Sequence, residues 1–191
     1  MPERLIPWFA LSLLMLVAAG PLAASQQLPA TGTVEVAFSP ADEPESVLLG
    51  VIGDAQRSVL VQAYVFTRRT IADALIEAQR RGVRVEVLAD AKMNARPSGN
   101  AIPRLLEAGV PVAFETAYAA AHNKLLIVDA ELPACTVLTG SYNFTWSAAH
   151  RNAENVLVLR GNCPLVQAYQ ANWQRHRAEA SVVKSLPFRQ P

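Results

Sequence analysis

Residues 122 to 129 read His-Asn-Lys-Leu-Leu-Ile-Val-Asp, and they are the most informative part of this sequence. The apolar run from Leu125 to Val128 is typical of a buried β-strand. His122 and Lys124 are two residues apart, so on a strand both side chains point to one face. A neutral imidazole can attack phosphorus, and a fixed ammonium can hold phosphate oxygens. The stretch therefore predicts a nucleophile and an anion clamp side by side.

Polar residues beyond this strand extend the candidate site. The turn from Gly140 to Asn143 offers the Ser141 hydroxyl and the Asn143 carboxamide, and Glu154 follows soon after. Each of these groups can donate or accept a hydrogen bond around a phosphate. A lone histidine in a strand is usually structural, but this combination of residues is too specific for that interpretation.

The pattern H-x-K-x-x-x-x-D followed by G-S-x-N resembles the signature of the phospholipase D superfamily. It is filled here by His122, Lys124, Asp129, Gly140, Ser141 and Asn143. One copy is present, and with the short chain this is similar to the single-motif bacterial branch, the small EDTA-resistant endonucleases. The similarity extends over roughly residues 34 to 177. It implies the phospholipase D/nuclease fold with one motif per chain.

The resemblance also implies a mechanism. In that family two identical chains pair, and each contributes one histidine to a shared active site. One His122 would form a phosphohistidine while the His122 of the second chain protonates the leaving alcohol. Lys124 and Asn143 would hold the nonbridging oxygens, with Ser141 as an added donor. The reaction is expected to need no metal and no cofactor.

Two carboxylates receive supporting roles in this picture. Glu154 would accept a hydrogen bond from the second ring nitrogen of His122, and Asp129 would brace the site or the dimer contact by charge pairing. Ten residues separate Asp129 from Gly140, more than the family pattern usually has. An insertion is therefore expected around residues 130–135, and it could reshape the rim of the site.

Alternating apolar runs and amphipathic segments predict an α/β domain, a mixed β-sheet sandwiched between helices. Strands are expected at residues 34–38, 58–66, 84–89, 110–114, 124–128, 136–139 and 156–159. Helices are expected at residues 45–55, 70–81, 100–108 and 164–177. Two strand–helix–strand units come first, and the later strands are expected to be antiparallel additions.

The chain divides into four predicted parts. Residues 1–24 read as a secretory signal, with Arg4 ahead of an apolar run and small residues at the end. An uncleaved N-terminal anchor is the alternative. Residues 25–33 read as a tether, 34–178 as the catalytic domain and 179–191 as a C-terminal tail. The expected location is periplasmic or secreted, with no stable membrane span once the signal is removed.

The cysteines are Cys135 and Cys163, and an exported chain with an even number of cysteines permits a disulfide. The two would meet if the strands beside them are antiparallel neighbours, and two unpaired thiols are the alternative. Neither is one of the residues proposed for the chemistry, so a catalytic cysteine is not expected. The three histidines of the chain match no usual zinc-ligand spacing.

The formal net charge is +1, so any field that attracts phosphate must be local. Four cations follow predicted strand ends: Arg68, Arg69, Lys92 and Arg96. They could track a nucleic-acid backbone or form a solvated face. Four aromatic residues near the motifs could stack on bases or belong to the core: Tyr118, Tyr142, Phe144 and Trp146. His150 and His176 are expected to be ordinary surface residues.

Three functions compete at this point. The first is a metal-independent, non-specific endonuclease that cleaves DNA, and RNA as a further substrate, as a homodimer. The second is a phospholipase D that hydrolyses phosphatidylcholine-type lipids, for which an apolar rim is required. The third is a catalytically silent nucleic-acid-binding module, and the intact set of His122, Lys124 and Asn143 argues against it.

Overall fold

The strand that begins with the motif lysine lies near the middle of an eight-stranded mixed sheet. The computed structural model describes residues 25–96 and 99–186. The strands are β1 (Thr33–Ser39), β2 (Ser58–Ala63), β3 (Arg84–Asp90), β4 (Val112–Glu115), β5 (Lys124–Val128), β6 (Thr136–Gly140), β7 (Glu154–Arg160) and β8 (Ser181–Val183). The helices are α1 (Pro44–Gly53), α2 (Arg69–Arg80), α3 (Ala91–Asn94), α4 (Ile102–Glu107), α5 (Trp146–His150) and α6 (Cys163–Glu179).

The strand order is β1-β7-β6-β5-β2-β3-β4-β8. Strands β2, β3 and β4 are parallel, and every other pairing is antiparallel. This confirms the predicted mixed sheet between helices. The two strands of the first strand–helix–strand unit, β1 and β2, are not neighbours, however. Strand β1 instead pairs with β7, on the opposite side of the sheet from β3. The chain therefore inserts β5, β6 and β7 between β1 and β2.

Helices cover both faces of the sheet because the strands are apolar on both sides. One face packs against α1, α2 and α4, with Leu48, Ile71 and Leu105 fully buried. The other face packs against α6, where Trp173 is 3% exposed and its Nε1 donates to the carbonyl of Val61 at 2.9 Å. The sheet thus lies between two hydrophobic clusters, and the ends of its strands are the part available for a functional site.

Several boundaries differ from the sequence prediction. The strand expected to reach residue 66 ends at Ala63, because Phe66 instead bridges to Phe144 in a separate turn. Helices α3 and α5, of four and five residues, were too short to give a periodic pattern. Strand β8 lies inside the predicted tail and pairs with β4. Three residues are too few to show the alternation of apolar and polar residues that predicts a strand. Strand β8 is therefore defined only by its pairing with β4 in the folded chain.

The N-terminal region is described from residue 25 onward. The predicted signal, residues 1–24, lies outside the described residues. Within the predicted tether, the carbonyl of Pro29 accepts a hydrogen bond from Asn162 Nδ2 at 2.8 Å, so this part is fastened to the start of α6. In the two described ranges, no helix combines the length and apolar character that a membrane crossing requires.

Candidate active site

The strand register brings the motif lysine to the edge of the sheet where the parallel strands end. Lys124 pairs with Ala63 of β2, and Ala63 pairs with Ala89 of β3. Glu115, the last residue of β4, pairs with Asp90. The carboxyl ends of parallel strands are the usual side for ligands in α/β folds. We call this side of the molecule the site edge.

His122 lies just before β5 and is exposed, whereas Lys124 is 6% exposed. The His122 ring lies 4.4 Å from the Tyr64 ring, centroid to centroid, at an angle of 56°. Lys124 Nζ lies 4.8 Å from the Tyr64 centroid and donates to the backbone carbonyl of His122 at 2.5 Å. Tyr64 therefore supports the imidazole and the ammonium together, a role that no periodic pattern in the sequence predicts.

The ammonium of Lys124 is held in a partly dehydrated place. Burial lowers the pKa of Lys124 from its ordinary value, and the nearby Glu154 carboxylate opposes this by raising it. The lysine makes one hydrogen bond to protein and one ring contact, so donors remain for an anionic ligand. It is suited to hold a phosphate oxygen next to His122.

The loop that delivers His122 is anchored by a buried carboxylate that the sequence analysis missed. Asp90 is 2% exposed, and its Oδ2 accepts from the backbone N–H of Ala121 at 2.9 Å. Its Oδ1 accepts from the N–H of Met93 at 2.9 Å, which caps α3. An aspartate directly after a predicted strand was the available signal.

Asn94 extends this anchor to the loop that carries Tyr64. It is 1% exposed, its Nδ2 donates to the Tyr64 carbonyl at 2.8 Å, and its Oδ1 accepts from the Phe66 N–H at 2.9 Å. Because Nδ2 also donates to the Asp90 carbonyl at 2.8 Å, the short helix α3 ties both loops of the site to β3.

The turn after β6 is built around Gly140. Its φ is 152°, and a Cβ atom at this position would overlap the backbone carbonyl of Asn155. This close approach requires glycine. Ser141 then donates from Oγ to Glu154 at 2.5 Å and accepts from the Asn155 N–H at 3.1 Å. The Asn143 side-chain oxygen is buried and has no hydrogen-bond partner among the described residues.

A short parallel bridge joins this turn to the Tyr64 loop. The N–H of Phe144 donates to the carbonyl of Val65 at 3.1 Å, and the carbonyl of Phe144 accepts from the N–H of Thr67 at 2.9 Å. The rings of Phe66 and Phe144 meet edge to face, 5.5 Å between centroids. The structure thus gathers the predicted residues His122, Lys124, Ser141, Asn143 and Glu154 at one edge of the sheet.

The predicted hydrogen bond between Glu154 and His122 is not present. Glu154 begins β7, two strands from β5, and its carboxylate accepts from Ser141 and from Asn152 Nδ2 at 2.9 Å. The side chain of His122 makes no hydrogen bond within the described part of the chain. The turn residue Ser141 takes the position between the two, so Glu154 influences the site through its charge and through the turn.

Asp129 lies at the opposite end of β5 from the site edge. It is 2% exposed, and its carboxylate accepts from three backbone N–H groups, those of Gln56 at 2.8 Å, Arg57 at 2.7 Å and Ser58 at 2.8 Å. Five residues of strand place it about 17 Å from Lys124. Asp129 therefore does not brace the site as one of the two expectations had it: it fastens the start of β2, at the end of β5 that lies away from the site edge.

The predicted insertion, residues 130–135, joins β5 to β6 at this same far end. It cannot reshape the rim of the site, because the whole length of β5 separates the two. Cys135 at the end of this loop is bonded to Cys163 at the start of α6, at a sequence separation of 28. Of the two alternatives left open by the sequence, the structure contains the disulfide.

The cations and aromatic residues singled out in the sequence have different environments. Arg68 pairs with Glu45 at 2.8 Å, and Lys92 donates to the Ala119 carbonyl at 3.0 Å. Tyr142 and Phe144 are each 1% exposed and belong to the core. Burial raises the pKa of the Tyr142 hydroxyl above its usual range. Neither ring is free to stack on a base.

The two remaining histidines also differ from each other. His150 is exposed, with its ring 5.0 Å from that of Trp146, which is 51% exposed. His176 is not an ordinary surface residue, because its Nδ1 lies 2.6 Å from the buried carboxylate of Glu115. Tyr118 stacks against this histidine. Across residues 25–96 and 99–186, no three histidine, cysteine or acidic side chains are grouped to hold a metal ion.

Comparison with known proteins agrees with this geometry. Residues 48–177 match the family model described as cardiolipin synthase, PLD-like domain. The protein named phospholipase D from Rickettsia typhi is 35% identical over 149 residues, covering 78% of this chain and 70% of its own length. The mitochondrial cardiolipin hydrolase of Xenopus laevis is 37% identical over 134 residues, covering 70% of this chain and 61% of its own.

Solved structures give the same result for the fold. Nuc, a phospholipase D family member from Salmonella typhimurium, superposes with a TM-score of 0.76 at 30% identity, covering 81% of this chain and 100% of its own. NucT from Helicobacter pylori gives a TM-score of 0.72 at 21% identity and covers 80% of this chain.

Proposed function

The chain belongs to the family of phospholipase D-like phosphodiesterases, and from that premise we propose that it is a metal-independent endonuclease. It would cleave DNA, and RNA as a further substrate, with little sequence preference. The observation that supports the chemistry is the exposed His122 imidazole, with the Lys124 ammonium fixed beside it over one tyrosine ring. An uncommitted imidazole and a cation at one edge suit attack on a phosphodiester.

The proposed reaction has two displacement steps. A ring nitrogen of His122 attacks phosphorus, and the bond to the leaving alcohol breaks as the His122 of a second copy donates its proton to that oxygen. The second imidazole then takes a proton from water, which attacks phosphorus and releases His122. Lys124 holds a nonbridging oxygen, with Ser141 and Asn143 beside it. Overall, one water molecule is consumed, and the diester is split into a phosphate monoester and an alcohol.

One chain supplies one motif histidine, so the proposed active enzyme is a homodimer with its site at the interface. The uncovered half of the α6 face offers a surface for the second copy. On edge strand β1, Val34, Val36 and Phe38 are 64%, 52% and 53% exposed. The cross-strand partner of Val34, Leu159, packs into the cluster under α6, which identifies the face.

This apolar strip also reaches the site. Ser39, the residue after Phe38, pairs with Glu154 at the site edge. A second copy bound over the strip would therefore meet the first beside the catalytic residues, and large exposed apolar patches mark interaction surfaces. Replacing Val36 by Asp should convert the dimer to a monomer in analytical ultracentrifugation and abolish cleavage together with it.

A phospholipase D is the second candidate, and one observation favours it. The Rickettsia typhi protein that is 35% identical to this chain is named phospholipase D. Hydrolysis of a phosphatidyl headgroup would use the same intermediate on His122 and the same anion clamp. The two candidates therefore differ in what binds around the phosphate, and only a substrate comparison separates them.

The test is to incubate the purified mature chain, in excess chelator, with plasmid DNA, single-stranded RNA and phosphatidylcholine vesicles in parallel. His122→Asn serves as the control for each substrate. Nicking that disappears in the variant would support the nuclease, and choline release without nicking would support the phospholipase. Activity that is lost in chelator and restored by added metal would refute the metal-free mechanism, and absence of all cleavage would leave a binding module.

A further inference from the structure

An aromatic pair outside the catalytic set lies on the site edge. Tyr118 is in the loop between β4 and β5, and its ring stacks on the ring of His176 from α6, with 4.9 Å between centroids and 25° between planes. Tyr118 is 42% exposed. We call these two residues the stacked pair. An exposed, nearly flat aromatic surface close to a nuclease site is a surface on which bases can stack.

The stacked pair is held rigidly from below. His176 Nδ1 lies 2.6 Å from Glu115 Oε1, and Glu115 is 3% exposed. Gln62 Nε2 donates to both carboxylate oxygens of Glu115, at 2.9 and 3.0 Å. The Tyr118 hydroxyl donates to Glu179 at 3.1 Å. Four elements, β2, β4, α6 and the loop, thus fix the position of one exposed ring, which reduces the entropy lost when a ligand binds.

The strand order gives the separation between the stacked pair and the nucleophile. Three strand spacings separate β5, which follows His122, from β4, which precedes Tyr118. At about 4.8 Å per spacing this is about 14 Å along the site edge. A stacked nucleic-acid strand advances about 3.4 Å per nucleotide, so the gap corresponds to about four nucleotides.

Cations accompany the aromatic surface. Lys92 of α3 donates from Nζ to the carbonyl of Ala119, the residue after Tyr118, so an ammonium lies against the same loop. The hydrogen bond to Glu179 raises the pKa of the Tyr118 hydroxyl, and the charge of Arg175, which opposes this, shows a second cation near the same ring. With a net charge of only +1, such local cations are the ones that can follow a phosphate backbone.

We propose that the stacked pair of Tyr118 and His176 is a base-stacking subsite for single-stranded nucleic acid, about four nucleotides from the scissile phosphate. The inference rests on the proposed endonuclease function and identifies its substrate as an unpaired strand that lies along the site edge. Stacking accepts any base, so the subsite gives affinity without sequence preference.

The test uses Tyr118→Ala with two substrates, a labelled single-stranded 12-mer of DNA and the small diester bis(p-nitrophenyl) phosphate, which cannot reach the subsite. We expect KM for the 12-mer to rise roughly tenfold with kcat unchanged, since loss of one stacking ring weakens binding by about that factor. Hydrolysis of the small diester should stay at the wild-type rate. Tyr118→Phe keeps the ring and should restore KM.

Direct binding separates this inference from the proposed function. In the His122→Asn background, Tyr118→Ala should weaken binding of the labelled 12-mer, read by fluorescence anisotropy, about tenfold. Equal binding, or a KM that rises for the small diester as well, would overturn the inference while leaving the nuclease intact. If the wild-type chain nicks plasmid DNA but neither binds nor cuts the 12-mer, the inference alone fails. If it cleaves neither, the proposed function fails as well.

Discussion

The two ends of strand β5 carry parts of one sequence motif but have opposite environments. At the site edge, His122 is exposed and its ring makes no hydrogen bond within the described ranges. At the other end, Asp129 is buried and accepts three backbone N–H groups. A side chain with unused hydrogen-bonding capacity is available for a substrate, whereas a saturated one is committed to the fold.

The largest expected contrast between the two ends is in stability. Asp129→Ala leaves three partly buried backbone N–H groups without their acceptor and places alanine at a φ of 49°, so we expect a loss of about 4 kcal/mol in the free energy of unfolding. Asp129→Asn keeps one acceptor oxygen and tolerates this φ, so it should lose about half as much. Urea unfolding followed by circular dichroism measures both.

His122→Asn is the matched control for this contrast. An exposed substitution should change the free energy of unfolding by less than about 0.5 kcal/mol while abolishing turnover. The assignment of Asp129 to the fold would be wrong if Asp129→Asn were as stable as the wild type and yet inactive when folded.

The second expected effect concerns the disulfide at the same far end. Replacing both Cys135 and Cys163 by serine removes a cross-link over 28 residues and should cost about 2–4 kcal/mol in the free energy of unfolding. Because this end lies about 17 Å from Lys124, kcat should not change below the melting temperature. A large drop in kcat at a temperature where the variant is fully folded would show that the two ends are coupled.

The smallest expected effect is a displaced pH profile at the site edge. Glu154 raises the pKa of Lys124, so Glu154→Gln should lower that pKa further. Since the protonated ammonium holds phosphate, activity is lost as pH rises through this pKa, and the alkaline limb of kcat/KM should move to lower pH. Ser141→Ala keeps the carboxylate charge and should leave the limb in place. If the alkaline limb does not move in Glu154→Gln, this limb does not arise from the deprotonation of Lys124.

The sequence predicted most of the framework because its strands are long apolar runs with clear ends. The seven expected strands are present, and β5 was placed with both boundaries right. The sequence did not predict α3, α5 and β8, because three to five residues are too few to show a periodic pattern of apolar residues. Which strands lie side by side was predictable only in part, because the position of β1 beside β7 depends on pairing between residues far apart in sequence.

For the candidate site, spacing along one strand placed His122 and Lys124 together, whereas the contacts across strands were not predictable. Tyr64, Asp90 and Asn94 lie at or shortly after strand ends and carry no motif, and their importance depends on loops that meet only in the folded chain. The same reason explains the wrong prediction for Glu154. The sequence pattern shows that this carboxylate is near the site, but it does not show whether His122 or Ser141 donates a hydrogen bond to it.

The loop from Glu131 to Ala134 offers a practical use. It is followed directly by the disulfide-bonded Cys135, and the strands on either side of it, β5 and β6, pair with each other. A peptide tag or a fluorescent label inserted there would sit on the side of the molecule facing away from the reacting phosphate. The enzyme could be attached to a solid support through this loop with its catalytic edge presented to solution, provided that the second copy is free to bind.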